Sequence, residues 1–102
     1  MPYYDLYVRA PAGSGYNDPN AMRRVDEHLI VMFPASFLAP KGVPVKMDDG
    51  TYPVRIYDGN VMTLRLVRRF LERHYGLKSV KLVKYSDTGE KISTETLESK
   101  LE

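Results

Sequence analysis

YPVRIYDGNVMTLRLVRRFLERHYGLKSVKLVKY, residues 52–85, holds a strand, a helix and a second strand in succession. Tyr52 to Tyr57 sets Tyr52, Val54 and Ile56 on one side with period two, the mark of a half-buried strand. Asp58-Gly59-Asn60 then leads into a helix with Leu64, Val67, Phe70, Leu71 and His74 on one side. Gly76 sits where a left-handed C-terminal cap is favoured. Ser79 to Tyr85 alternates again, and Ser86-Asp87-Thr88-Gly89 reads as a turn.

The first half of the chain repeats this order. Tyr4 to Arg9 reads as a strand and Ala10 to Gly15 as a loop. Asn17 or Asp18 caps a helix with Pro19 in its first turn, and Met22, Val25, Leu29, Met32 and Phe33 recur at helical spacing until Pro34. Val43 to Met47 reads as a strand, turned by Asp48-Asp49-Gly50-Thr51 into the strand at 52–57. Shifted by 42 positions, Met22, Arg23, Val25, Leu29 and Phe33 fall on Leu64, Arg65, Val67, Leu71 and Tyr75. Shifted by 48, Tyr4, Leu6 and Val8 fall on Tyr52, Val54 and Ile56. The expectation is one domain, 1–102, of two related motifs, about 1–47 and 52–92. An extension, 93–102, follows, and Ile92 to Glu102 reads as a short extension or a frayed helix.

Two βαβ-like motifs predict a two-layer α+β fold: a ferredoxin-like, four-stranded antiparallel sheet with both helices on one face. Such a sheet shows alternating strands. The expected inward set is Tyr4, Leu6, Val8, Val43, Val45, Tyr52, Val54, Ile56, Val80 and Leu82. The expected outward set is Tyr3, Asp5, Tyr7, Arg9, Lys46, Arg55, Tyr57, Lys81, Val83 and Tyr85, a mixed aromatic and basic surface.

At 102 residues, 43% of them hydrophobic and 27% charged, the chain supports one modest core and argues against disorder. With no cysteine, disulfides, thiol nucleophiles, Cys-ligated zinc and iron–sulfur chemistry are excluded together. The N-terminus MPYYDLYVRA lacks the basic-then-apolar order of a signal peptide, and no apolar stretch is long enough to span a membrane. There is no Gln and only three Asn among many charged residues, a composition common in hyperthermophile proteins.

Beyond any short motif, YYDLYVRAPAGSGYNDPNAMRRVDEHLIVMFPASFLAP and its degenerate partner at 52–85 resemble small proteins of Acidianus filamentous viruses. These viruses infect hyperthermophilic archaea, and many of their proteins have no assigned activity. The resemblance extends over essentially the whole chain and brings no catalytic signature. It implies a viral origin and a setting in the host cytoplasm.

Enzyme chemistry finds no foothold in the residues. Ala12-Gly13-Ser14-Gly15 lies between strand and helix but completes neither phosphate-loop pattern, and Asp18 would repel a phosphate there. Ser14 is not in a nucleophile elbow. His28 and His74, on different helices and without Cys or a carboxylate cluster, make no metal site. No cofactor is expected.

Charge is more informative. The net charge of +2 is a cancellation: residues 55–84 carry eight basic and two acidic side chains, against −1 for 1–54 and −3 for 85–102. Arg65, Arg68, Arg69 and Arg73 share the polar side of the second helix, as a solvated face or a phosphate-contacting stripe. The outward Tyr/Arg set suits protein hot spots or base stacking. The run LIVMFPASFLAP, 29–40, is too apolar for a one-sided helix. It packs against the other motif or leaves Ile30, Val31, Phe37 and Leu38 for a partner or a second copy.

The reading is a non-catalytic viral binding protein that holds a protein or peptide partner in a groove or edge between the motifs. Ile30, Val31, Phe37, Leu38, Tyr7, Arg55 and Tyr57 are its candidate contacts, and a homodimer contact is a further use of the same surface. The alternative is nucleic-acid binding through the four arginines or the sheet face.

Overall fold

A computed structural model of the chain describes residues 2–37, 44–57 and 60–97. In chain order the elements are β1 (Tyr3–Arg9), α1 (Pro19–Met32), β2 (Tyr52–Ile56), α2 (Val61–Tyr75), β3 (Lys78–Tyr85) and β4 (Lys91–Thr96). The strands form one antiparallel sheet in the order β2-β1-β3-β4. The fold is α+β, with a β-α-β order compatible with a ferredoxin-like arrangement.

Local chemistry sets the helix ends. Asp18 caps α1 by accepting from the Asn20 N–H at 3.2 Å, and Pro19 occupies the first turn where its missing donor costs nothing. Pro34 follows the last intrahelical bond, from Phe33 N–H to the Leu29 carbonyl. Asn60 caps α2 through the Met62 N–H at 2.8 Å. At its other end Gly76 takes φ of 70° and donates to Glu72, while Leu77 donates back to Leu71. Leu77 is fully buried, the apolar contact that usually accompanies this cap.

The core fills the space between the sheet and both helices. Met22, Val25 and Leu29 of α1 and Leu64, Val67 and Leu71 of α2 meet Leu6, Val8, Tyr52, Val54 and Ile56 in one cluster. The shift of 42 carries the first helical triple onto the second. The shift of 48 meets a register that pairs Tyr4 with Ile56, Leu6 with Val54 and Val8 with Tyr52. Together they define a local two-fold relation between β1 and β2 that passes through the Leu6–Val54 pair. The Tyr57 N–H donates to the Ser36 carbonyl at 2.8 Å. The same two shifts relate these residues to Arg9 and Lys78, which are partners in the β1–β3 ladder.

Three expectations change. The strand expected at Val43–Met47 is not formed by residues 44–47, and Val43 lies outside the described residues. Met47 instead closes the turn before β2, donating to Thr51 while its carbonyl accepts from Gly50, and Val45 is left 70% exposed. The fourth strand is β4, in the stretch read as an extension or frayed helix. The turn that returns it, with Ser86 N–H bonded to the Glu90 carbonyl, makes β3 and β4 a hairpin. Val83, expected outward, does lie on the open face opposite Asp5, yet it is buried. Lys81 and Tyr85 flank it along β3, and Tyr3 and Tyr7 flank it diagonally on β1.

One carboxyl sits half-buried at the margin of this core. Asp26 shares α1 with the three buried residues, and burial, helped by the neighbouring charge of Glu27, pushes its pKa up to about 7. An unfolded Asp titrates near 4. Between about pH 4 and 7 the folded chain therefore holds a proton that the unfolded chain has released, so stability is full below this window and falls as pH rises through it. Asp26→Asn is expected to flatten that fall. It should raise stability at pH 8 by roughly 2–4 kcal/mol and change little at pH 4. Urea denaturation of both proteins at the two pH values measures this.

Candidate interaction surface on the open sheet face

With both helices on one side, the odd-numbered residues of β1 face away from them. Tyr3, Asp5, Tyr7 and Arg9 alternate with the buried Leu6 and Val8. The register adds Pro53 and Arg55 from β2, Lys78, Lys81, Val83 and Tyr85 from β3, and Lys91, Thr94 and Thr96 from β4.

Asp5 anchors this face. Its carboxylate is buried and takes a two-pronged bond from Arg55, directly opposite on β2: Nε to Oδ1 at 2.8 Å and Nη2 to Oδ2 at 3.0 Å. Such a fork fixes a guanidinium in both position and plane. The Asp5 bond holds the Arg55 proton even more firmly than usual, against the opposing effect of burial.

Arg55 also lies 4.3 Å over the ring centre of Tyr3. Tyr3 in turn stacks on Tyr85, with centroids 4.9 Å apart and planes 19° from parallel, and touches Tyr57 at 5.8 Å. Tyr85, Tyr3 and Arg55 thus form a row across three strands. Beside it Lys81 sits 4.6 Å over Tyr7. Burial raises the Tyr7 hydroxyl pKa, with Tyr85 and Asp5 adding to the effect. The cations and neighbouring rings already take up π-faces of Tyr3 and Tyr7.

Arg9, Arg55, Lys78, Lys81 and Lys91 outnumber Asp5 on this face. At its margin the Asp49 carboxylate accepts from the Thr51 hydroxyl and N–H. Those bonds lower its pKa, and Lys81 and Arg9 act in the same direction.

The structure brings Tyr7, Arg55 and Tyr57 together, and the row adds Tyr3, Tyr85 and Lys81, all of which the alternation had placed outward. Sequence alone gave no sign that Asp5 is the buried anchor. The described part of the apolar run, 29–37, does not join this face. Phe37, read as a partner contact, is only 8% exposed and belongs to the core, with its ring 6.2 Å from Phe33. The reason is the chain reversal after Pro34, which folds Phe37 back beside β2. Ile30 is half-buried against the same core, and Leu38 lies outside the described residues. Val31 stands out, 75% exposed on α1, with its neighbour Met32 half exposed.

Arg65, Arg68, Arg69 and Arg73 lie on α2, in the other layer. With Glu72 they line a shallow depression of about 330 Å³. His28 and His74, on different helices, come together in an aromatic seam. His28 Nδ1 is hydrogen-bonded to the Tyr75 hydroxyl, and His74 stacks on Phe70 with centroids 5.2 Å apart. Among the described residues no three His, Asp or Glu side chains converge as metal ligands, and no helix is long and apolar enough to cross a membrane.

Compared with protein-family models, curated protein sequences and solved structures, the chain matches none.

Removing Arg55 strands the Asp5 carboxylate, whereas removing both partners leaves no charge to strand. Arg55→Met is therefore expected to destabilise the protein by about 1–3 kcal/mol, at the low end because the guanidinium is half exposed. The double variant Asp5→Val/Arg55→Met should recover most of that loss. A urea-denaturation double-mutant cycle tests this, and a double variant no more stable than Arg55→Met refutes it.

Proposed function

We propose that the protein is a non-catalytic binding protein whose open sheet face docks an acidic segment of a protein partner. The Tyr85–Tyr3–Arg55 row, locked from below by Asp5, carries this reading. Tyrosine and arginine are enriched in interface hot spots, tyrosine because it buries large area with few rotatable bonds and arginine because its planar fork makes several directed hydrogen bonds. Here that cost in side-chain freedom is already met in the free protein, since stacking and the carboxylate fork hold the row in place. The surrounding lysines and arginines favour negative charge and speed encounter with it. The resemblance to small proteins of archaeal viruses extends the proposal to a virus-encoded role in the host cytoplasm.

A second reading, nucleic-acid binding, draws on a separate observation. Among the described residues Arg65, Arg68, Arg69 and Arg73 form no ion pair, and Glu72 is the one acidic side chain in their depression. Phosphate contacts suit such a stripe. Base stacking on the sheet face suits the geometry less, because cations and rings already flank Tyr3 and Tyr7.

Titration of a Glu-rich synthetic peptide and of an oligothymidine, each at two salt concentrations, separates the readings. The peptide is expected to bind the parent protein and to lose about tenfold or more in affinity to Tyr3→Ala and to Asp5→Val/Arg55→Met. Arg69→Ala/Arg73→Ala should leave peptide binding unchanged. Oligothymidine binding that falls steeply with salt and depends on Arg69 and Arg73, with no peptide binding, would replace the first reading by the second.

A further inference from the structure

The sheet is wider than the pair of helices lying on it. Leu82 pairs with Glu95 and Lys84 with Ser93, so both β4 residues lie on the helix side of the sheet, and both are exposed. Between α2 and the β3–β4 hairpin runs a groove of about 380 Å³. Tyr4, Leu64 and Leu82 supply its apolar part, and Arg65, Arg68 and Lys84 bring three positive charges to it from two elements. Glu95 is its one acidic lining residue, and among the described residues it forms no ion pair with them.

Arg68 is the unusual member. Its Nε is buried and has no hydrogen-bond partner. A buried N–H of a charged group is rarely left without an acceptor, and where one is missing the acceptor is commonly a water or an ion. A water would satisfy the N–H but would leave three positive charges against the single carboxylate of Glu95, beside an apolar wall. An anion answers both conditions, and an attached hydrocarbon would cover the wall.

We propose that this groove binds a small amphipathic anion. A phosphate or carboxylate head is held by Arg68 with Arg65 and Lys84, and a short apolar body lies on Tyr4, Leu64 and Leu82. The volume is near the low end for small-molecule sites, which suits such a ligand. The groove lies on the opposite side of the sheet from the tyrosine row, so it stands independently of partner docking there.

Hexyl phosphate, hexanoate, inorganic phosphate and hexanol, each titrated into the full chain and followed by amide chemical shifts, test the site. The expected result is saturable binding of hexyl phosphate or hexanoate with shifts at Tyr4, Leu64 and Leu82. Inorganic phosphate and hexanol should each bind about tenfold more weakly or less, and Arg68→Met and Lys84→Ala should each weaken binding by about fivefold or more. The two amphipathic probes identify which head is preferred. If Arg68→Met does not fold, Lys84→Ala and Arg65→Ala decide. No saturation by either amphipathic anion at about 10 mM overturns the proposal. So does binding that the folded variants leave unchanged, or inorganic phosphate binding as tightly as hexyl phosphate.

Discussion

A sheet covered on one face must make its other face acceptable to water, and in this protein one buried carboxylate organises that second face. Asp5 sits on the central strand, directly behind the hydrophobic core, where an unpaired charge would be costly. Arg55 neutralises it with two hydrogen bonds and is itself oriented by them. From that fixed plane the arrangement spreads outward: guanidinium over Tyr3, Tyr3 against Tyr85 and Tyr57, and Val83 enclosed between the tyrosines. An exposed sheet surface thereby acquires a second, smaller ordered layer. Rigidity on this face follows from electrostatics and ring stacking, in contrast to the helix side, where it follows from apolar packing.

Much of the fold was legible because it depends on period and punctuation. The residues buried in both helices are among those the 3.6-residue spacing selects, although Met32, also selected, is half exposed at the end of α1, and Asp18, Pro19, Asn60 and Gly76 mark the helix ends as local chemistry requires. The strands β1, β2 and β3 follow from alternation. Failures fall where period carries no signal and a turn decides. Val45 alternates like a strand residue, but Met47 and Thr51 spend their backbone groups on a tight turn. KISTET, residues 91–96, has no buried side to give it a pattern, and it becomes a strand because the preceding turn delivers it to the edge of β3.

The candidate site divides in the same way. Alternation placed Tyr7, Arg55 and Tyr57 on one surface, since face is a local property of a strand. It could not show that Asp5 is buried, because its partner lies fifty positions away. Phe37 and Val31 belong to the same apolar run and meet opposite fates, one in the core and one in solvent. The difference arises from the chain reversal at Pro34, which hydrophobicity alone does not specify. Spacing put His74 on the apolar side of its helix but not beside His28; the two come together through Phe70 and Tyr75 into a seam of large rings between the helices.

The two-fold relation between β1 and β2 constrains how these strands vary. On the helix side of the sheet the off-axis contact occurs twice, and both times an aromatic ring faces a β-branched side chain: Tyr4 against Ile56, and Tyr52 against Val8; on the open face the related pairs, Asp5–Arg55 and Tyr7–Pro53, differ in kind. Under duplication the Tyr4–Ile56 and Tyr52–Val8 pairs are separate copies, free to drift apart. Leu6 and Val54 have no second copy, because each stands opposite its own counterpart. Under duplication that site begins as a residue facing itself, so any gain in volume on one strand must be matched by a loss on the other. A leucine facing a valine, both buried in the core, is the kind of asymmetric pair such a position permits.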